Sequence, residues 1–441
     1  MYQTAESKNL TSNNSVSSQS CSSHRQQLHP TGYPHFDKVP ATQSFLISRK
    51  HKLKRLVAAA LLTVFFGVTP ETRGQSTMKP YQINNSLVIL SAPAGNTPVD
   101  ISIRPTFIRR IRLRNTFTVT IDGTNWTFDN VQNISITLSG GRNSISVEDV
   151  DLEGTLDIQV GDGRDYVAVA NSIVEGDINL QMGNGYNRLS LGDTVIFGQL
   201  SYDGGLGPDQ LNAPFSGGTT SQADCVVLGD VVYEDLGGDD RIELNRFQIS
   251  GNLLIDLGTG NDSVRVTSSD SGGSYPVQGR STSVGGDCVI DHFGGNLTAT
   301  IEDTKLDHNF VLFSTGESSR VSLRSRRTGA QWSPMSVGAN MIFFTDTQRS
   351  RTEMSGLQQD QGVFQLLGTE GEDFVDIRNS GLQPVHINLG DGKDSLYIES
   401  TTVKQSVTLN GGSSDNDTGN ALRLDVPQRK VSGFESGNLA P

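Results

Sequence analysis

Cysteine is scarce, with three residues in a chain of 441, and that excludes a disulfide-framework scaffold. Charged residues make up only 19% of the chain, too few for a solvated polyelectrolyte. The 48 glycines do not recur at every third position, so the chain is not a collagen. No apolar run approaches the roughly 20 residues that carry a helix comfortably across a bilayer. Beyond residue 80 no stretch keeps a long helical period of apolar side chains. No glycine-rich G-x-G-x-x-G stands between a strand and a helix, so nucleotide binding has no support. A complete catalytic constellation is also missing.

The first 74 residues differ from the rest. Residues 1–48 are rich in Ser, Asn, Gln and His and have no apolar period, which reads as a disordered leader extension. Residues 49–74 are signal-peptide-like. Arg49, Lys50, Lys52, Lys54 and Arg55 precede thirteen mostly apolar residues, Leu56 to Val68, and Thr72-x-Gly74 offers a cleavage site. The expected address is secreted or cell surface, extracellular or periplasmic. An uncleaved anchor is the alternative, and it is the one route by which the chain would touch a membrane. Residues 75–441 carry 26 Lys and Arg against 45 Asp and Glu. That balance argues against nucleic acid as a partner and suits divalent cations. Cys225 and Cys288 remain in that part, each in an apolar run. They either pair or sit as buried thiols that behave as small apolar residues.

An internal repeat sets the architecture. Residues 154–175 (GTLDIQVGDGRDYVAVANSIVE), 176–197 (GDINLQMGNGYNRLSLGDTVIF) and 198–211 (GQLSYDGGLGPDQL) align without gaps. Leu156, Ile178 and Leu200 coincide, then the glycine turns, then Asp165, Asn187 and Asp209. The acid or amide position recurs from Asn143 to Asp262 at spacings of 22, 22, 22, 31 and 22, and from Asp373 to Asp394 at 21. Each repeat holds two short alternating runs, such as Leu156/Ile158/Val160 and Val167/Val169, which read as strands. One repeat cannot bury its own apolar face, but a stack of repeats can. The expected fold is therefore all-β, a right-handed parallel β-helix (β-solenoid) over residues 82–441, with coils of about 22 residues and room for about 16 coils less loops. A loop is expected at Ala213–Ser221 and an insertion at Ser268–Ser283. Between 265 and 360 the repeat blurs, which predicts loops or a less regular stack.

The turns Gly161-Asp162-Gly163-Arg164-Asp165, Gly258-Thr259-Gly260-Asn261-Asp262 and Gly390-Asp391-Gly392-Lys393-Asp394 resemble the haemolysin-type (RTX-like) calcium-binding repeat, G-G-x-G-x-D-x-U-x. The resemblance implies calcium held between neighbouring coils by turn carbonyls and carboxylates, at Asp165, Asp209, Asp240, Asp262, Asp373 and Asp394. Hard oxygens of this kind are what Ca²⁺ takes. The chain departs from the family in having one such turn per coil, with Asn at 143 and 187. The alternative is a metal-free ladder, because Asp and Asn also hydrogen-bond their own turns.

The expected role is an exported structural or adhesive solenoid, with extracellular polysaccharide or other surface proteins as partners. The alternative is a carbohydrate-active β-helix enzyme, a polysaccharide lyase or hydrolase. Val289-Ile290-Asp291-His292 faintly resembles the Trp-Ile-Asp-His signature of pectate lyases, without its Trp. The bland reading puts Asp291 and His292 on an exposed turn before Gly294-Gly295. His308 and His386 lack metal-ligand spacing. Arg104, Arg109, Arg110, Arg112 and Arg114 read either as an anion-binding face or as a polar cap on the first coil. Arg320, Arg324, Arg326 and Arg327 read as a solvated face.

Overall fold

The computed structural model describes residues 78–90, 98–108, 111–213, 224–268, 281–325, 335–414 and 416–437. The chain divides into Met1–Gly74 and Gln75–Pro441. The leader extension and the signal-like segment lie outside the described residues, as do Arg109 and Arg110.

The second unit is a parallel β-solenoid. One coil shows its plan: a first strand Leu156–Gln159, a glycine-rich turn, a second strand Tyr166–Ala170, a two-residue corner at Asn171-Ser172, and a short third strand Ile173–Val174. The next coil repeats it in register, with Leu156 beside Ile178, Val167 beside Leu189 and Val174 beside Ile196. First strands pair in an unbroken series from Ser86–Leu90 to Gln428–Ser432, fourteen layers in all, close to the number the chain length allows.

The period-two patterns dictate which side faces in. Leu156, Ile158, Val167, Val169 and Val174 are all buried, while Asp157, Ala168 and Ile173 point outward. Stacked columns of such side chains make one continuous core. Each fully buried Leu, Ile or Val contributes roughly 1.5–3 kcal/mol. Some columns are filled by rings: Tyr202 lies stacked on Tyr233 at 4.9 Å, and Phe310, Phe343 and Phe364 follow in tilted and edge-on contact at 5.3 and 5.7 Å. The corner after the second strand needs a left-handed residue, and Asn171 (φ 51°) and Asp193 (φ 48°) supply it, as short polar side chains do.

The solenoid begins with antiparallel hairpins, Asp100–Ile108 on Ile111–Ile121 and the latter on Thr124–Phe128. The first layer is therefore atypical, as a terminal repeat should be. Arg104 there pairs with Glu148 at 2.7 Å.

The sequence predicts loops or a less regular stack over 265–360; the described strands in that range hold their register. The glycine turn is lost there because the first and second strands fuse into single strands, Phe310–Arg324 and Met341–Ser355, which pair along their length. The sequence blurs because a turn signal disappears, not because stacking fails. The extra residues fall at 214–223, 269–280 and 326–334, outside the described residues, and each of these stretches joins a second strand to a third. The expected loop at Ala213–Ser221, the insertion at Ser268–Ser283, and Arg326 and Arg327 thus fall largely or wholly there. Arg320 pairs with Glu353 at 3.6 Å, and Arg324 with Glu302.

Candidate functional site

Asp165 precedes Val167 by two residues, so it shares the inward side of the second strand. It sits where the glycine turn meets that strand. All six aspartates singled out in the sequence occupy equivalent places, and every one is at least 98% buried. They form one ladder with Asn143, Asn187 and Asp417, broken by Leu297, Ser319 and Ser350. Asp209, Asp240 and Asp262 follow one another on successive coils, as do Asp373 and Asp394.

The ladder has a fixed hydrogen-bond logic. Within each unbroken run, the backbone N–H of one member donates to the side-chain oxygen of the member one coil on. Asn143 donates to Asp165 Oδ1 at 2.8 Å, Asn187 to Asp209 at 2.9 Å, Asp209 to Asp240 at 2.8 Å and Asp240 to Asp262 at 2.8 Å. Asp373 donates to Asp394 at 2.8 Å and Asp394 to Asp417 at 3.0 Å. These bonds satisfy amide groups that would otherwise be buried without a partner. The second carboxylate oxygens behave differently. Oδ2 of Asp165, Asp240, Asp262, Asp373, Asp394 and Asp417 is buried with no hydrogen-bond partner. Burial raises the pKa of each of these carboxyls: Asp373 to about 6, Asp262 and Asp394 to about 7, and Asp240 to about 9. Asp165 and Asp417 move up for the same reason. For Asp240 the charges of Asp235, Asp262 and Asp209 add to burial.

One segment of the ladder is elaborated. Asp209 is raised to about 8 by burial and by Asp235. Tyr202 donates to Asp209 Oδ2 at 3.0 Å, and Tyr233 donates to Asp235 Oδ2 at 3.1 Å. Asp235 Oδ1 accepts the amides of Gly205, Leu236 and Gly237. Gly204 makes room: a Cβ there would stand 2.4 Å from Asp235 Oδ2 and 2.5 Å from Asp209 Oδ2. The repeat could not announce Asp235, because its column holds Gly204 and Leu257 in the neighbouring coils and Val160 and Met182 further along. Asp417 follows Asp394 by 23 residues rather than 22, and Asp415 and Asn416 compete for the position in the sequence.

Asp291 and His292 are not on an exposed turn. They lie in the strand Cys288–Phe293, which continues to the glycines. Consecutive strand residues face opposite sides, so His292 is fully buried while Asp291 points outward. They cannot converge on one substrate. His292 Nε2 lies 3.4 Å from Asp262 Oδ2, and Nδ1 lies 3.3 Å from Ser314 Oγ. Burial lowers its pKa. This Asp–His–Ser array is closed to solvent throughout, so no substrate reaches it. Asp291 instead continues an outer column with Asp203, Glu234 and Asp256, and burial followed by the charge of Asp256 raises it to about 7.

Cys225 and Cys288 are free and buried. Burial pushes both thiols up to about 12, so they pack as apolar groups. Among the described residues no three or more His, Cys, Asp or Glu side chains are grouped to hold a metal ion, and no helix is long and apolar enough to cross a membrane. No family model matches the chain, and no curated protein or solved structure matches it either.

Proposed function

We propose that the chain is an exported structural solenoid, working at the cell surface or outside the cell as a scaffold for other molecules. The observation that supports this reading is the continuity of the stack. First strands pair without a break across fourteen layers, and an internal ladder ties coil to coil through amides that only neighbouring coils can satisfy. Such a stack gains stability from every added neighbour and presents outer faces of constant geometry. The basic and apolar segment at 49–68 and the acidic remainder support export. Amide hydrogen exchange on the purified full chain tests the scaffold: slow exchange is expected from the strands at 131–425, and rapid exchange across the middle coils would remove it. Cell fractionation with N-terminal mass spectrometry tests export, which fails if residues 1–48 persist on a cytosolic protein.

A second reading, calcium along the glycine–aspartate turns, is favoured by the orphaned Oδ2 atoms. Ionised, each would need a cation or a donor. The fit is partial, because the Oδ1 atoms already accept amide hydrogens, so turn carbonyls would have to complete the ligand set. Calcium bound there would cross-link adjacent coils and add to stability. Melting followed by circular dichroism with and without millimolar calcium tests it, and an unchanged midpoint removes the metal.

A further inference from the structure

Among the described residues, two pairs of arginines stand directly opposite each other on adjacent coils: Arg320 beside Arg351, and Arg142 beside Arg164. Adjacent coils are about 4.8 Å apart, and like charges set opposite each other on one face repel. The first pair is relieved by Glu353, 2.5 Å from Arg351 and 3.6 Å from Arg320. On the same second-strand face Arg241 pairs with Glu243 and Arg378 with Asp376. Arg142 and Arg164 are the exception. Both are exposed, and among the described residues no carboxylate forms an ion pair with either. Asp162, two residues before Arg164, instead accepts the backbone and side-chain amides of Asn184 at 3.1 and 2.9 Å. This pair lies in a part of the chain where 45 acids face 26 bases, so a carboxylate partner would be easy to supply.

The surroundings hold these guanidiniums in place. Asn143 and Asp165 are buried in the ladder, so their neighbours Arg142 and Arg164 turn outward. Arg164 lies over the Tyr186 ring of the next coil at 4.6 Å, and Arg188 of that coil lies back over the Tyr166 ring at 5.7 Å. A guanidinium stacked on a ring keeps its N–H edge for in-plane contact with an oxyanion. Arg142, Arg164 and Arg188 thus step along three successive coils, about 10 Å in all. Tyr166 and Tyr186 are half-buried beside them, and a phenol hydroxyl both donates and accepts hydrogen bonds.

We propose that Arg142, Arg164, Arg188, Tyr166 and Tyr186 bind an acidic polysaccharide lying along the coils, with a sulfate or uronate group bridging Arg142 and Arg164 and sugar hydroxyls meeting the phenols. A single-stranded nucleic acid fits less well, because its bases need open rings to stack on and both rings here already carry a guanidinium. An anionic bilayer gains nothing beyond charge, because these two columns hold no exposed large apolar side chain to enter it. The inference deepens the scaffold reading and takes its extracellular setting from it. Binding is measured on purified protein and export by fractionation, so either can fail without the other.

The test is calorimetric titration of the full chain with a heparin hexasaccharide and with a hexagalacturonate, against neutral dextran and a short single-stranded oligonucleotide. At least one acidic sugar is expected to bind, more weakly as salt rises, and the one that binds assigns sulfate or carboxylate. Arg142→Gln/Arg164→Gln is expected to weaken that binding at least about tenfold. Arg320→Gln/Arg351→Gln makes the same change in charge on the pair that has Glu353, and should change binding less than about twofold. If the first variant loses its β-sheet circular dichroism, Arg142→Lys decides: it keeps the charge, loses the planar fork, and is expected to weaken binding at least about threefold. Binding of neither acidic sugar, equal binding of dextran or of the oligonucleotide, or equal weakening by the two double variants overturns the proposal.

Discussion

Asp240→Asn should stabilise the protein, increasingly so as pH rises. Asp240 Oδ1 accepts the Asp209 amide at 2.8 Å, whereas Oδ2 is buried without a partner. Asn143 and Asn187 show that an amide fits this ladder, and Asn187 Nδ2 donates to the Gly183 carbonyl at 3.0 Å. The folded-state pKa of Asp240 is raised from 3.8 to about 9. A raised acid contributes its stability in full below the unfolded value and loses it as pH climbs to the folded one. The wild-type protein therefore loses stability between about pH 4 and pH 9 at this position, and Asn, which does not titrate, removes the loss. An isolated acid so shifted would cost about 4 kcal/mol at pH 7. Asp209 and Asp235 titrate in the same cluster, and sharing protons among the three leaves on the order of 2 kcal/mol for one substitution. The assay is thermal melting of both proteins in chelator at pH 4.5, 7 and 9.5. The measure is the difference between the two midpoints, because the acidic surface lowers both curves at high pH. A variant equal to or below wild type at pH 9.5 would refute the reasoning.

Gly163→Ala should destabilise by roughly 2–4 kcal/mol, because a methyl group there would stand 1.7 Å from the Gly141 carbonyl oxygen and the backbone must move. Denaturant titration measures it, and a loss below about 1 kcal/mol contradicts the coil spacing. Tyr202→Phe removes the donor to Asp209 Oδ2 and should cost about 1–2 kcal/mol, with a larger cost at pH 9 than at pH 5. Shortening 214–223 to one residue restores the 22-residue spacing between Asp209 and Asp240, which now stands at 31. It should leave the melting midpoint within a few degrees, since closing a longer loop costs little extra. A collapse of cooperativity would show that this stretch holds the coil together.

Much of the fold was legible in the sequence because stacking repeats demands matching residues at matching intervals. Leu156, Ile178 and Leu200 announce their pairing before any coordinate is known. So do Asp165, Asn187 and Asp209. The burial of those acids was readable in the period-two step from Val167, yet the glycine turn draws attention to a surface loop instead. His292 shows the same effect. Gly294-Gly295 signals a turn, while the strand runs on to Phe293 and turns the imidazole inward. Asp235, Tyr202 and Tyr233 left no sequence signal, because the two tyrosines replace aliphatic residues in their column and Asp235 stands between Gly204 and Leu257 in its own. In the middle of the chain the fused strands Phe310–Arg324 and Met341–Ser355 erase the glycine marker while keeping every pairing.

Protons and calcium make opposite demands on the ladder, and pH separates them. A carboxyl such as Asp262, raised to about 7 by burial, is comfortable neutral below that pH and must lose its proton to ligate a metal. Calcium bound at Asp209, Asp240 and Asp262 would therefore release protons, and its effect on the melting midpoint should grow from pH 5 to pH 9. The same calcium should add less to Asp240→Asn, which has no charge to offer. An equal rise at pH 5 and pH 9, undiminished in that variant, would place the ion among the exposed carboxylates instead. In that case the interior is held by hydrogen bonds and protons alone, and the chain would be most stable where its buried acids remain neutral.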